Sequence, residues 1–75
     1  MYDTYKTAEL IKQRLNEKHV SASKMLLDLD LGVNALYQFE KGRVMSSFNL
    51  ARIADYLDCS VDYLLGRTDN PDVNR

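Results

Sequence analysis

The sequence has one cysteine, Cys59, one histidine, His19, one proline, Pro71, three glycines and no tryptophan. A lone cysteine excludes an internal disulfide, and with a single histidine it falls short of the ligand set of a zinc site. A domain of 75 residues usually needs such a staple, so its stability must come from well-packed helices. No apolar run approaches the roughly 18 residues of a membrane span, which argues against a membrane partner. Met1-Tyr2-Asp3-Thr4-Tyr5-Lys6 lacks the basic start and continuous apolar stretch of a secretory signal, and the expected location is cytoplasmic. So small a core leaves little room for a water-excluding pocket. The expectation is therefore no catalytic residues, no metal, no cofactor and no small-molecule substrate.

A charge excess is also missing. Net charge is −1, which is not the bulk signature of a nucleic-acid binder. The distribution is more informative. Through residue 45, Lys6, Lys12, Arg14, Lys18, Lys24, Lys41 and Arg43 stand against Asp3, Glu9, Glu17, Asp28, Asp30 and Glu40. Beyond it, Arg52, Arg67 and Arg75 face Asp55, Asp58, Asp62, Asp69 and Asp72. An anion-binding face is thus expected in the first two-thirds of the chain.

What is present is helical periodicity, with no period-two alternation over a strand's length. Thr7 is a candidate cap for a first helix carrying Ala8, Leu10, Ile11 and Leu15. His19 follows as the left-handed residue that ends it, a role favoured over a ligand role because it lacks companions. Ser21 caps a second helix, Ala22 to Leu29. Asp30 and Gly32 interrupt, and Val33 to Glu40 forms a third helix with Leu36 and Phe39 inward, closed by Lys41 and Gly42. Ser46 caps a fourth helix bearing Leu50, Ile53, Ala54 and Leu57. Ser60 caps a fifth with Val61, Leu64 and Leu65, ended by Gly66. The fold class is all-α. A domain over residues 1–66 precedes a polar tail, 67–75, expected to be mobile. The expected core is Ile11, Leu15, Met25, Leu29, Leu36, Phe39, Leu50, Ile53, Leu57 and Leu64. Lys12 and Arg14 read as a solvated face, and Cys59 as a small apolar residue.

Two short helices joined by a tight turn form the pattern in which the second can lie in a DNA major groove. The same periodicity also builds any small helical core, and periodicity alone does not separate the two.

Val20-Ser21, Met25, Leu29, Leu31, Leu36, Phe39-Glu40-Lys41-Gly42, Asn49-Leu50, Ile53-Ala54 and Ser60-Val61-Asp62-Tyr63-Leu64-Leu65-Gly66 resemble the Cro and phage-repressor type helix-turn-helix domain, the Xre family. The likeness spans residues 7 to 66. It implies a five-helix, lambda-repressor-like domain with the helix-turn-helix in helices 2 and 3. It further implies sequence-specific binding of double-stranded operator DNA as a transcriptional regulator, normally a repressor, in bacteria or their phages. The recognition helix would be Val33 to Phe39.

Carried over by position, Val33, Asn34, Tyr37 and Gln38 would face base edges. Asn and Gln pair bidentately with adenine, and Val33 and Tyr37 suit a thymine methyl, so an A·T-containing half-site is expected. Ser21, Ser23, Lys24, Lys41, Arg43 and Ser46 would contact phosphates. Three positions depart from the family: Ala22 stands where glutamine is common, Leu26 where alanine is, and Asp30 where glycine is. The loop Arg43 to Met45 is about one residue short and lacks the usual proline.

One recognition helix covers only a few base pairs, so a homodimer on a palindromic site is expected, formed in solution or only on DNA. Its interface is assigned to Tyr56, Val61, Tyr63, Leu64 and Leu65, more apolar surface than one buried face needs. The competing function is a protein-interaction module, an adaptor or antitoxin-like partner on the same fold, favoured by near-neutral charge and by Val33 and Tyr37.

Overall fold

The computed structural model describes residues 3–72, in which five helices follow one another: α1 (Thr4–Glu17), α2 (Ala22–Asp28), α3 (Ala35–Glu40), α4 (Ser47–Tyr56) and α5 (Val61–Leu64). No strand occurs among the described residues. α1 packs against α3 and α5, and α4 against α5. The core between them holds Ile11, Met25, Ile53, Leu57 and Leu64 fully buried, with Leu15, Leu26, Leu36, Phe39 and Leu50 around them. Leu29, expected inside, is only half-buried and lies against the edge of that core. Leu26 and Cys59 fill core positions not on the expected list.

Capping explains where most helices start. The Oγ atoms of Ser21, Ser46 and Ser60 accept from the N–H groups of Lys24, Asn49 and Tyr63 at 3.0–3.1 Å, each three residues on. The first helix corrects the sequence expectation. Thr7 is buried within α1, and the cap is Asp3, whose Oδ1 accepts from the Tyr5 N–H at 3.0 Å. Thr4, Tyr5 and Lys6 offer no signal that stops helix propagation, so the helix extends back to the nearest strong acceptor.

All five helices end in the same way. His19, Asp30, Gly42, Asp58 and Gly66 have φ between 54° and 101°, each two residues beyond the last helical position. Behind each, the next N–H reaches back five residues: Val20 to the Leu15 carbonyl, Leu31 to Leu26, Arg43 to Gln38, Cys59 to Ala54 and Arg67 to Asp62, at 2.8–3.0 Å. These are Schellman motifs, which satisfy carbonyls a helix end leaves unpaired. Three are built without glycine. Asp and His tolerate the left-handed region better than most residues, though at some cost.

Two basic residues read as solvated are structural. The Arg14 guanidinium donates to the carbonyls of Leu57 and Asp58 at 3.0 Å each, closing the C-terminus of α4. Lys12 bonds Glu40 at 2.8 Å and joins α1 to the end of α3, which raises the Lys12 pKa. The tail also makes a backbone contact with the domain. The Pro71 carbonyl accepts from the Ser60 N–H at 2.9 Å, a contact its polar composition did not foretell; residues 73–75 lie outside the described part.

Candidate nucleic-acid interface

The third helix begins two residues later than the sequence suggested. Val33 and Asn34 lie in the turn after α2, and α3 runs Ala35–Glu40 with Asn34 as its N-cap. Gly32 has no side chain to cap a helix starting at Val33, whereas Asn suits the cap position itself. Asn34 nevertheless makes no capping bond with its side chain. Both donor and acceptor of its amide therefore remain unspent, as do those of Gln38 one turn on, which makes no side-chain hydrogen bond among the described residues.

Leu36 and Phe39 point α3 into the core, so its opposite face is presented to solvent. Tyr37 is 60% exposed there and Val33 87% exposed just before it, with Asn34 and Gln38 also exposed. The four expected base-reading residues thus share one outer surface at the start of α3. Lys41 sits at its far end with Nζ 5.3 Å from the Tyr37 ring centroid, a cation–π distance that steadies both side chains.

The residues expected at phosphates flank the helix-turn-helix in sequence, Ser21, Ser23 and Lys24 at the start of α2 and Lys41, Arg43 and Ser46 after α3. Ser21 and Ser46 use Oγ as an acceptor for their caps, which leaves each O–H free to donate outward. Ser23 and Arg43 are exposed, and Arg43 makes no side-chain hydrogen bond or ion pair among the described residues. Lys24 differs: its Nζ lies 3.2 Å from Asp28 Oδ2.

Sequence reasoning missed the side chains that tie α4 to the end of α2. From α4, Arg52 donates through Nη2 to the Leu29 carbonyl at 2.6 Å and through Nη1 to Asn49 Oδ1 at 3.4 Å. One turn on, the Tyr56 hydroxyl donates to Asp28 Oδ2 at 2.6 Å. That bond, with Lys24 second, holds the Asp28 carboxyl below its ordinary range and pushes the Tyr56 phenol up. The sequence signal was the spacing of four between Arg52 and Tyr56, but nothing local names their partners.

A two-helix unit of this geometry, braced from behind by a fourth helix, fits the sequence likeness, and the family comparison decides it. The model of the Cro/C1-type HTH DNA-binding domain matches residues 10–70. The chain belongs to this family. Comparisons with curated proteins and with solved structures gave no match. As a Cro/C1-type domain the chain binds DNA, and its all-helical fold and five-helix order are those the likeness implied. The family's usual glycine at the turn is replaced by Asp30, which still adopts φ 57°. Leu26, where alanine is common, is buried between α2 and its neighbours without interrupting the fold.

The dimer surface needs correction. Leu64 is fully buried in the core and contributes nothing to an outer face. Val61, Tyr63, Leu65 and Tyr56 are half-buried, and the Tyr56 hydroxyl is engaged with Asp28. Most of the exposed large apolar side chains lie elsewhere: Leu27 on α2, Val33 and Tyr37 at α3, Val44 in the following loop and Phe48 on α4. Helical phase alone does not reveal that α5, at four residues, spends its apolar positions on one core contact. Among the described residues no helix is long and apolar enough to cross a membrane, and no group of three or more His, Cys, Asp or Glu is placed to hold a metal.

Proposed function

We propose that this domain is a sequence-specific transcriptional regulator, a repressor, that lays α3 and the turn before it in the DNA major groove. The observation that carries this reading is the pair of unspent amides, Asn34 and Gln38, on the face that also exposes Val33 and Tyr37. Amides read adenine through N6 and N7, and the apolar pair suits thymine methyls, so the half-site contains A·T pairs. Ser21, Ser23, Lys24, Lys41, Arg43 and Ser46 fix the orientation through phosphates. Two copies related by a two-fold axis, meeting through Val61, Tyr63, Leu65 and Tyr56, would set two recognition helices about 34 Å apart on a palindromic operator. A cytoplasmic protein of bacteria or phages fits this role.

Fluorescence anisotropy on duplex DNA tests the reading. Affinity should fall as salt rises, and Lys41→Ala should weaken all duplexes alike while lowering the salt slope by about one. Sedimentation with a palindromic duplex should give two proteins per duplex; one per duplex at saturation contradicts the dimer.

A second reading has its own observation. Leu27, Val44 and Phe48 are apolar, exposed and assigned to no DNA contact, and an apolar groove of about 340 Å³ runs beside Val44 and Met45 towards Phe39 and Leu65. A protein-interaction module would use that surface, and it would show no salt-dependent binding to duplex DNA.

A further inference from the structure

We propose that Asp28 is an internal counter-ion that DNA must displace: it occupies the Lys24 ammonium in the free protein, and Tyr56 fixes it there. This rests on the DNA-binding reading above and adds a control on affinity to it. Lys24 Nζ lies 3.2 Å from Asp28 Oδ2, and the same oxygen accepts from the Tyr56 hydroxyl at 2.6 Å. A solvent-exposed pair four residues apart on a helix normally exchanges freely with water. Here the carboxylate is anchored from a different helix, so it remains beside Lys24 instead of swinging away. The Arg52 bond to the Leu29 carbonyl holds the same turn of α2 from the adjacent residue.

The consequence is electrostatic. Lys24 stands on the N-terminal half of α2, beside the Ser21 cap and Ser23, where phosphates are expected. A phosphate that reaches Lys24 meets a carboxylate already bonded to it, so it gains one cation and faces one fixed anion. Of the three basic side chains expected at phosphates, Lys24 is paired with Asp28 and Lys41 lies over the Tyr37 ring, whereas Arg43 has no side-chain partner among the described residues. The free protein is therefore less attractive to duplexes of any sequence than its count of lysines and arginines implies. Base reading by Asn34 and Gln38 is untouched, because phosphate contacts carry no sequence information.

Asp28→Asn separates charge from hydrogen bonding, since asparagine still accepts from Tyr56 but no longer neutralises Lys24. Binding to a generic duplex and to the preferred duplex should tighten alike, by about two- to fivefold at low salt, the worth of one exposed ion pair. The salt slope should steepen by about 0.9, one added phosphate contact. In the Lys24→Ala background the Asp28→Asn gain should vanish, so that the double variant binds like Lys24→Ala alone, a coupling that a merely structural role for Asp28 would not produce. Duplex binding by the parent with an unchanged affinity and slope in Asp28→Asn overturns the counter-ion and leaves the DNA reading standing. No binding by either protein at low salt overturns both.

Discussion

α3 and α4 are consecutive helices that end in the same left-handed motif, yet their ends are furnished differently. α4 starts from Ser46, whose hydroxyl bonds the Asn49 N–H, and its closing motif places buried Cys59 against the core while Arg14 covers its last carbonyls. α3 starts from Asn34, whose side chain makes no cap, and its closing motif brings polar Arg43 over Gln38. A six-residue helix without these aids is not stable by itself. It exists because Leu36 and Phe39 are buried and Lys12 holds Glu40. The kind of polar group that α4 spends on its own stability is therefore left without an intramolecular partner on α3.

The largest effect is expected from Phe39→Ala. Since tertiary burial and not capping maintains α3, the substitution should cost about 3 to 5 kcal/mol, a large share of the stability of so small a domain. Thermal denaturation checks it, and a melting temperature within a few degrees of the parent contradicts the burial.

Next in size is a pair of cap substitutions. Ser46→Ala should destabilise by about 1 kcal/mol, whereas Asn34→Ala should remain within about 0.5 kcal/mol of the parent because it removes no capping bond. In DNA binding the order reverses: Asn34→Ala should relax discrimination at one base position by about 1 to 3 kcal/mol. Urea titrations and competition binding measure the two sides of this reversal. Equal stability losses at both caps would show that Asn34 is an ordinary cap.

Asp30→Gly probes the turn between α2 and α3. Glycine adopts φ 57° without the strain that Asp30 bears, so stability should rise by about 0.5 to 1 kcal/mol, read as an increase in the urea midpoint.

The smallest effect concerns pH. Asp28 has a lowered folded-state pKa, so its contribution is complete above its unfolded value near pH 4 and is lost as pH falls through the lower folded value. Tyr56 should ionise above the usual value of about 10, and Asp28→Asn should bring it down, as seen in the ring resonances of Tyr56. Tyr56 ionising at the same pH in both proteins would remove the bond between α4 and α2.

Features governed by neighbours in sequence were legible. Ser21, Ser46 and Ser60 as caps, and His19, Gly42 and Gly66 as closing residues, follow from chemistry within a few positions. Asp3 was missed because Thr7, also a good cap, stands between it and the apolar stripe. Arg14, Arg52 and Tyr56 were illegible for another reason: their partners lie 43, 23 and 28 residues away, and one sequence does not specify such pairings. The exposed side of α3 was legible as residue types, Tyr37 and Gln38 lying opposite Leu36 and Phe39. The start of α3 was misplaced by two residues, although Gly32 cannot cap a helix and Asn34 suits the cap position. The expected dimer patch exceeded what the fold leaves exposed, because burial of Leu64 is decided by packing against α1 and α4.

If the turn before α3 and its outer face meet DNA, titration of the isotope-labelled protein with a duplex will show it in the amide chemical shifts. The largest changes should fall on Val33, Asn34, Tyr37, Gln38, Lys41 and Arg43, with smaller ones at Ser21 and Ser46. Changes confined to α5, or none at low salt, would contradict it.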